Sequence, residues 1–354
     1  MKKLGIDKKD ILFKIIAITI GLLIALFLTE VFLRVQNIVQ LDGFKNQYPG
    51  DPILHHGSQE FNVTNYGTDC NGERIKLLLL GDSWMMPGYS LSETIEKEFA
   101  NKSKKCVEAI NGGTSSYAPT LYLLKGRMAY KKYGKFDYII VNIDETDIGD
   151  EWLRYRIPAV YDDKGRIIAV PFKNDIESLC LWNGKVWAEN SRLYTVRLIK
   201  FTLFYKVFVP MLYEFTGYPN HFSSLMKYVF APDARSKYKK EHSYFEKRLL
   251  RLTTELGKYI NDPTHLYLTH HPHLRGLVKK MDDGLLYLPI VSEMLARLHE
   301  KTGVKVLDAR NHIQEIHNGN FSENTYAEKD RFSHLSSQGE TEYGKWIVDQ
   351  IDIE

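Results

Sequence analysis

The chain has 354 residues, 44% hydrophobic and 26% charged, and a net charge of +3. That is ordinary globular composition. Lys and Arg are spread among acidic residues with no basic arm interleaved with aromatics, so there is no case for a nucleic-acid partner. The three cysteines, Cys70, Cys106 and Cys180, lack metal-site spacing.

The amino terminus is decisive. Residues 15–33 form a run in which only Glu30 is charged, long enough as a helix to cross roughly 28 Å of hydrocarbon. Lys2, Lys3, Lys8, Lys9 and Lys14 precede it, so the positive-inside rule keeps the amino terminus cytoplasmic and sends the bulk of the chain outward. The run is too long for the apolar part of a signal peptide, and residues 28–34 hold no small-x-small cleavage site. Residues 1–37 therefore read as a cytoplasmic terminus and uncleaved anchor, with the lipid bilayer as the partner of residues 15–33. Glu30 and Arg34, four apart on one helix face near the outer interface, are placed to pair. Residues 38–74 are polar and turn-rich, with Pro49-Gly50-Asp51-Pro52 and Asn65-Tyr66-Gly67. They read as a membrane-proximal linker that becomes an extension of the domain at 75–354.

That domain opens with Ile75 and Leu77 to Leu80, an apolar run with the habit of a parallel strand buried on both faces. Gly81-Asp82-Ser83 follows directly, and residues 92–99 have helical character. Residues 106–110 make a second strand ending at Asn111-Gly112-Gly113, residues 119–133 a helix, and residues 136–142 a third strand. This β–α alternation with short glycine-containing turns predicts a parallel, doubly wound sheet. As parallel neighbours the first two strands would start at one edge of the sheet. An oxidising compartment would then permit a Cys70–Cys106 disulfide; two unpaired buried thiols are the alternative.

Regularity stops at about 150–262, which reads as a cap insertion. Residues 159–170 form a hairpin around Asp162-Asp163-Lys164-Gly165. Residues 194–215 are rich in Leu, Phe, Tyr and Val but carry Arg197, Lys200 and Lys206. Those charges speak against a second span and for a cap helix at the bilayer surface with snorkelling lysines. A helix at 241–260, a fourth strand at 264–270, a helix at 286–302, a fifth strand at 304–308 and a helix at 337–351 complete the chain.

A serine between a buried strand and a helix is exposed at the carboxyl edge of the sheet, where ligands bind in open α/β folds. Gly-Asp-Ser is equally a turn motif, since Asp and Ser bond their own backbone. The local sequence leaves both readings open. A serine nucleophile needs a base, most often a histidine oriented by a carboxylate. The segment Asp330-Arg331-Phe332-Ser333-His334, between the fifth strand and the last helix, brings both residue types to that same edge.

Gly81-Asp82-Ser83 after an apolar strand, Asn111-x-Gly113 after the second, an acidic segment after the third, and Asp330 to His334-Leu335-x-x-x-Gly339 resemble the SGNH/GDSL hydrolase superfamily over residues 75–148 and 264–351. The leading apolar segment resembles membrane-anchored members that acylate or deacylate surface polysaccharides. The resemblance implies a three-layer α/β/α sandwich with a parallel five-stranded, flavodoxin-like sheet behind one transmembrane helix. It implies Ser83 as nucleophile, His334 as base and Asp330 as the group that orients it. The backbone N–H groups of Ser83 and Gly113 would form the oxyanion hole, with Thr146 standing where the family has an asparagine donor. Asp82, Trp84, Asn111 and His271 are candidates for the substrate pocket.

Two departures stand out: Thr146 replaces that asparagine, and three residues rather than two separate Asp330 from His334. The reaction expected is acyl transfer through a Ser83 acyl-enzyme, to water or to a sugar hydroxyl of an acylated cell-envelope or secreted glycan. It needs no cofactor and takes place outside the cytoplasmic membrane. One alternative is a degenerate scaffold that binds or assembles glycan. Another is a metal-dependent hydrolase built on His270, His271 and His273, with Asp144, Glu145, Asp147 and Asp150 nearby.

Overall fold

The computed structural model describes residues 8–35, 51–67, 74–174, 187, 191–208, 211, 227–230, 233–271, 289–312 and 334–353. They form two compact units, residues 1–49 with 176–218 and residues 50–175 with 219–354. The strands are β1 (Asn62–Tyr66), β2 (Ile75–Leu80), β3 (Val107–Asn111), β4 (Tyr138–Ile143), β5 (Val160–Tyr161), β6 (Ile167–Ala169), β7 (Leu266–His270) and β8 (Lys305–Asp308). The long helices are α1 (Lys8–Val35), α2 (Ser90–Ser103), α3 (Pro119–Tyr133), α4 (Tyr194–Leu203), α5 (Lys239–Leu256), α6 (Ile290–Thr302) and α7 (Ser337–Gln350).

In the first unit, residues 11–35 of α1 are long and apolar enough to cross a membrane. Glu30 Oε1 accepts from Arg34 Nε at 2.7 Å, one helical turn away. The α4 helix belongs to this unit.

In the second unit the sheet runs β1-β3-β2-β4-β7-β8. All pairings are parallel except β1 with β3. Counted among the parallel strands alone, the order is 2-1-3-4-5, the flavodoxin-like winding. The expected five-stranded sheet is thus a six-stranded one. The sixth strand, β1, lies in the segment read as linker: Asn62-Val63-Thr64-Asn65-Tyr66 has no apolar run to betray it. Its side chains are mostly exposed, and it is held by pairing from Asn62 opposite Asn111 to Tyr66 opposite Val107. The 159–170 hairpin forms as β5 and β6.

The central strand β2 is sealed on both faces, with Leu77 to Leu80 at 0% exposure. Because side chains alternate, Leu78 and Leu80 face one layer with residues of α3, α5 and α6. Leu77 and Leu79 face the other with residues of α2 and α7. This is the three-layer α/β/α arrangement. The α5 helix buries Phe245, Leu249, Leu252 and Leu256, a three-to-four residue spacing that makes one apolar face. It is therefore a layer of the core, although it falls inside the segment read as a cap. Cys106 is disulfide-bonded; Cys70 and Cys180 lie outside the described residues.

Candidate active site

The winding reverses at β2: the chain passes to β3 on one side and then returns to β4 on the other. The carboxyl ends of the strands open a crevice at such a switch point, and Ser83 sits there, three residues past the end of β2. Its turn is a short 3-10 helix, Ser83–Met85, capped by Asp82. Asp82 Oδ1 accepts the Trp84 N–H at 3.1 Å and its carbonyl accepts the Met85 N–H at 3.2 Å.

Two glycines let this turn lie so close to its neighbours. A Cβ on Gly113 would stand 2.1 Å from the Met85 carbonyl oxygen, and one on Gly81 would stand 2.8 Å from Met85 Cβ and 3.2 Å from Asn142 Cβ. Neither space exists for any other residue. The turns after β2 and β3 are also bonded to each other, Gly112 N–H to Leu79 O at 2.9 Å and Thr114 N–H to Gly81 O at 3.1 Å. Asn111 shapes the second turn: its Oδ1 accepts the Gly113 N–H at 2.8 Å and its Nδ2 donates to Glu96 at 3.4 Å.

His334 precedes α7, whose first turn is fixed by Ser336 Oγ accepting the Gly339 N–H at 3.1 Å and by the fully buried Leu335. From there His334 Nε2 lies 2.7 Å from Ser83 Oγ, across 251 residues of sequence. The distance is within reach for proton transfer between hydroxyl and imidazole. The His334 ring lies 5.7 Å from the Trp84 ring and 6.4 Å from the Tyr89 ring. Asp330 lies outside the described residues.

Behind the serine turn is a buried acidic floor. Asp82, Asp144, Asp147 and Asp150 are each 4% exposed or less. Burial, reinforced by the charges of Asp82, Asp144 and Asp150, pushes the Asp147 carboxyl well above the usual carboxylate range. The Tyr122 hydroxyl lies 3.1 Å from both Asp147 oxygens. Glu151 is also buried with a raised carboxyl. It accepts the Thr120 N–H at 2.9 Å and the Thr120 hydroxyl at 2.5 Å, capping the start of α3. Asn142, at the end of β4, accepts the Thr269 hydroxyl at 3.0 Å and the Tyr343 hydroxyl at 3.3 Å. Its Nδ2 is buried with no acceptor among the described residues. Sequence patterning passes over Tyr122 and Glu151, because each is a polar group with no motif around it, while Asn142, four residues before Thr146, is an amide in the strand to which the sequence gives no oxyanion role.

Asp82, Trp84, Asn111 and His271 are 1–4% exposed, and Asp82 and Asn111 each accept a backbone N–H of their own turn. His271 is packed between Trp84 at 4.8 Å and Tyr343 at 4.9 Å. The Thr146 hydroxyl donates to Asp144 Oδ2 at the start of the 147–149 helical turn. The adjacent histidines do not converge on one ion. His270 Nδ1 lies 3.1 Å from Asp308 Oδ1, whereas His271 is held among the aromatic rings, as alternation along an extended chain requires. Among the described residues no group of three or more His, Cys, Asp or Glu is placed to hold a metal, and His273 lies outside them.

No family model matches the chain, and no curated protein does. Solved structures similar to it include an acetylxylan esterase from Geobacillus stearothermophilus, 12% identical over 80% of this chain and 97% of that one, with a TM-score of 0.39. Others are a lipase/acylhydrolase from Enterococcus faecalis, 12% identical over 78% and 95% with a TM-score of 0.39, and a second acetyl xylan esterase, 13% identical over 78% and 100% with a TM-score of 0.41. At this similarity the chemistry of the site rests on its own geometry.

Proposed function

We propose that this protein is a serine-dependent acyl-ester hydrolase or O-acyltransferase of the SGNH/GDSL type, acting through a Ser83 acyl-enzyme. The observation that carries the reading is the 2.7 Å approach of Ser83 Oγ to His334 Nε2, at the switch point where an α/β sheet binds its ligands. His334 takes the hydroxyl proton as Ser83 attacks the ester carbonyl. It returns that proton to the leaving oxygen, and then activates water or a sugar hydroxyl to release the acyl group. Asp330, four residues before His334, orients the imidazole. The Ser83 N–H is the first donor to the oxyanion and the Gly113 N–H the second, the latter shared with Asn111; Thr146 contributes its hydroxyl when it releases Asp144.

The substrate class is an acylated cell-envelope or secreted glycan. With α1 crossing the cytoplasmic membrane and Lys2, Lys3, Lys8, Lys9 and Lys14 ahead of its apolar run, the catalytic unit works on the outer side. The test is release of acetate from O-acetylated polysaccharide by the full-length protein in detergent. Wild-type protein is expected to turn over, with Ser83→Ala slower by roughly 10³-fold or more. A Ser83→Ala variant of equal activity and unchanged fold overturns the proposal.

A second reading has its own observation. The Gly113 N–H and the Thr146 hydroxyl both have partners inside the protein, which suits a scaffold that binds glycan without turning it over. Glycan binding that survives Ser83→Ala, without turnover of any acyl ester by the wild type, distinguishes it.

A further inference from the structure

The α4 helix begins on the anchor. Glu30 Oε1 accepts the Tyr194 N–H at 2.9 Å, and Glu30 Oε2 accepts the Thr195 N–H and the Thr195 hydroxyl at 2.8 Å each. One carboxylate thus takes up donors that a helix start leaves unpaired. Arg34 completes the joint, bonding Glu30 and donating to the Arg192 carbonyl at 3.1 Å. Within residues 11–35 only Glu30 and Leu33 are not exposed. The two helices therefore meet at one level and do not run alongside each other. That level is five residues, about 7–8 Å of helix, before the end of α1. In a spanning helix it is the boundary between headgroups and acyl chains.

From this joint α4 and the π-helical turn after it carry an exposed apolar stripe. Ile199, Leu203 and Val207 recur every fourth residue, at 56%, 44% and 44% exposure. The basic side chains reach back toward the start of the helix. Arg197 Nε donates to the Ser191 carbonyl at 2.6 Å, and its guanidinium lies 4.8 Å from the Tyr194 ring. Lys200 Nζ donates to the Trp187 carbonyl at 3.2 Å and lies 4.8 Å from that ring. Cations paired with Trp and Tyr on one side of an apolar stripe are the pattern of a helix lying in a membrane interface.

We propose that residues 194–208 lie in the outer leaflet of the bilayer, pinned to the anchor by Glu30, with the Ile199–Leu203–Val207 stripe in the acyl chains. The anchor and this helix then form an L-shaped foot, one arm crossing the membrane and the other lying in its surface. The inference rests on the reading of α1 as a span.

The test places an environment-sensitive fluorescent amino acid at Leu22, Leu203 or Lys164 of the full-length protein, reconstituted in phosphatidylethanolamine–phosphatidylglycerol vesicles. Lys164, at the exposed turn of the β5–β6 hairpin, is the aqueous reference. The expected result is about twofold loss of fluorescence at both Leu22 and Leu203 with lipids carrying an acyl-chain nitroxide, and iodide quenching at Leu203 several-fold below that at Lys164. Lipid quenching at Leu22 with iodide quenching at Leu203 equal to that at Lys164 overturns the inference and leaves the anchor standing. Shielding of Leu203 from both quenchers overturns it too, by showing that protein covers the stripe. Absence of lipid quenching at Leu22 removes the anchor and the inference together.

Discussion

At the scale of single residues the site is a pair of groups held by neighbours that do no chemistry. Ser83 is presented by a turn that Asp82 caps, and His334 by a loop that Ser336 and Leu335 fix. Both were legible in the sequence, because each abuts a strong signal: four consecutive leucines before the first, a capped helix after the second. Asp147 was legible only as one acid among several. Its raised carboxyl follows from burial and from the surrounding carboxylates, which exist only once β4 and its turn are packed. The pH consequence has a definite sign. A carboxyl held protonated when folded, but ionised above about pH 4 when unfolded, costs stability as pH rises from that value toward the folded pKa. Asp147→Asn removes that cost. Its gain in melting temperature over wild type is expected to be near zero at pH 4 and to grow toward pH 7, as measured by thermal unfolding in detergent at both pH values. A constant or shrinking difference contradicts the assignment.

At the scale of elements, the two turns beside the switch point behave as one piece. The Gly113 Cα rests against the Met85 backbone, so Gly113→Ala pushes a Cβ to 2.1 Å from the Met85 carbonyl oxygen and the backbone has to shift. The expected cost is about 1–3 kcal/mol of stability, with loss of activity beyond what that cost explains; a denaturation curve and an ester assay on the same sample check it. Ser336→Ala removes the cap of α7 and is expected to cost about 1 kcal/mol, while weakening activity through a less fixed His334. The β–α alternation made β2, β3, β4, β7 and β8 readable: β2 and β4 carry long apolar runs, and the shorter β3, β7 and β8 stand between helices at regular places in the alternation. β1 was not readable. Its polar, exposed residues are strand only because β3 offers an unpaired edge, and edge pairing leaves no mark on composition.

At the scale of the whole molecule, the inserted chain divides. Residues 176–218 group with the amino-terminal segment, and the flanking residues 150–175 and 219–262 with the sheet-containing unit. Composition marked residues 194–215 as apolar with basic residues interspersed, but the partner of that helix start is Glu30, more than 160 positions earlier. No local pattern carries a contact of that separation. Full-length protein is expected to stay with the membrane pellet through alkaline carbonate extraction, as a spanning anchor requires; release into the supernatant contradicts α1 as a span.

The central claim is that Ser83, activated by His334, is a nucleophile, and its most direct test is covalent. Full-length protein in detergent is treated with a fluorophosphonate and digested, and the peptides are mapped by mass spectrometry. The account predicts one phosphonyl adduct on Ser83, formed much more slowly in His334→Ala and absent in Ser83→Ala. A folded wild-type protein that stays unlabelled at Ser83, or that labels as fast without His334, contradicts it.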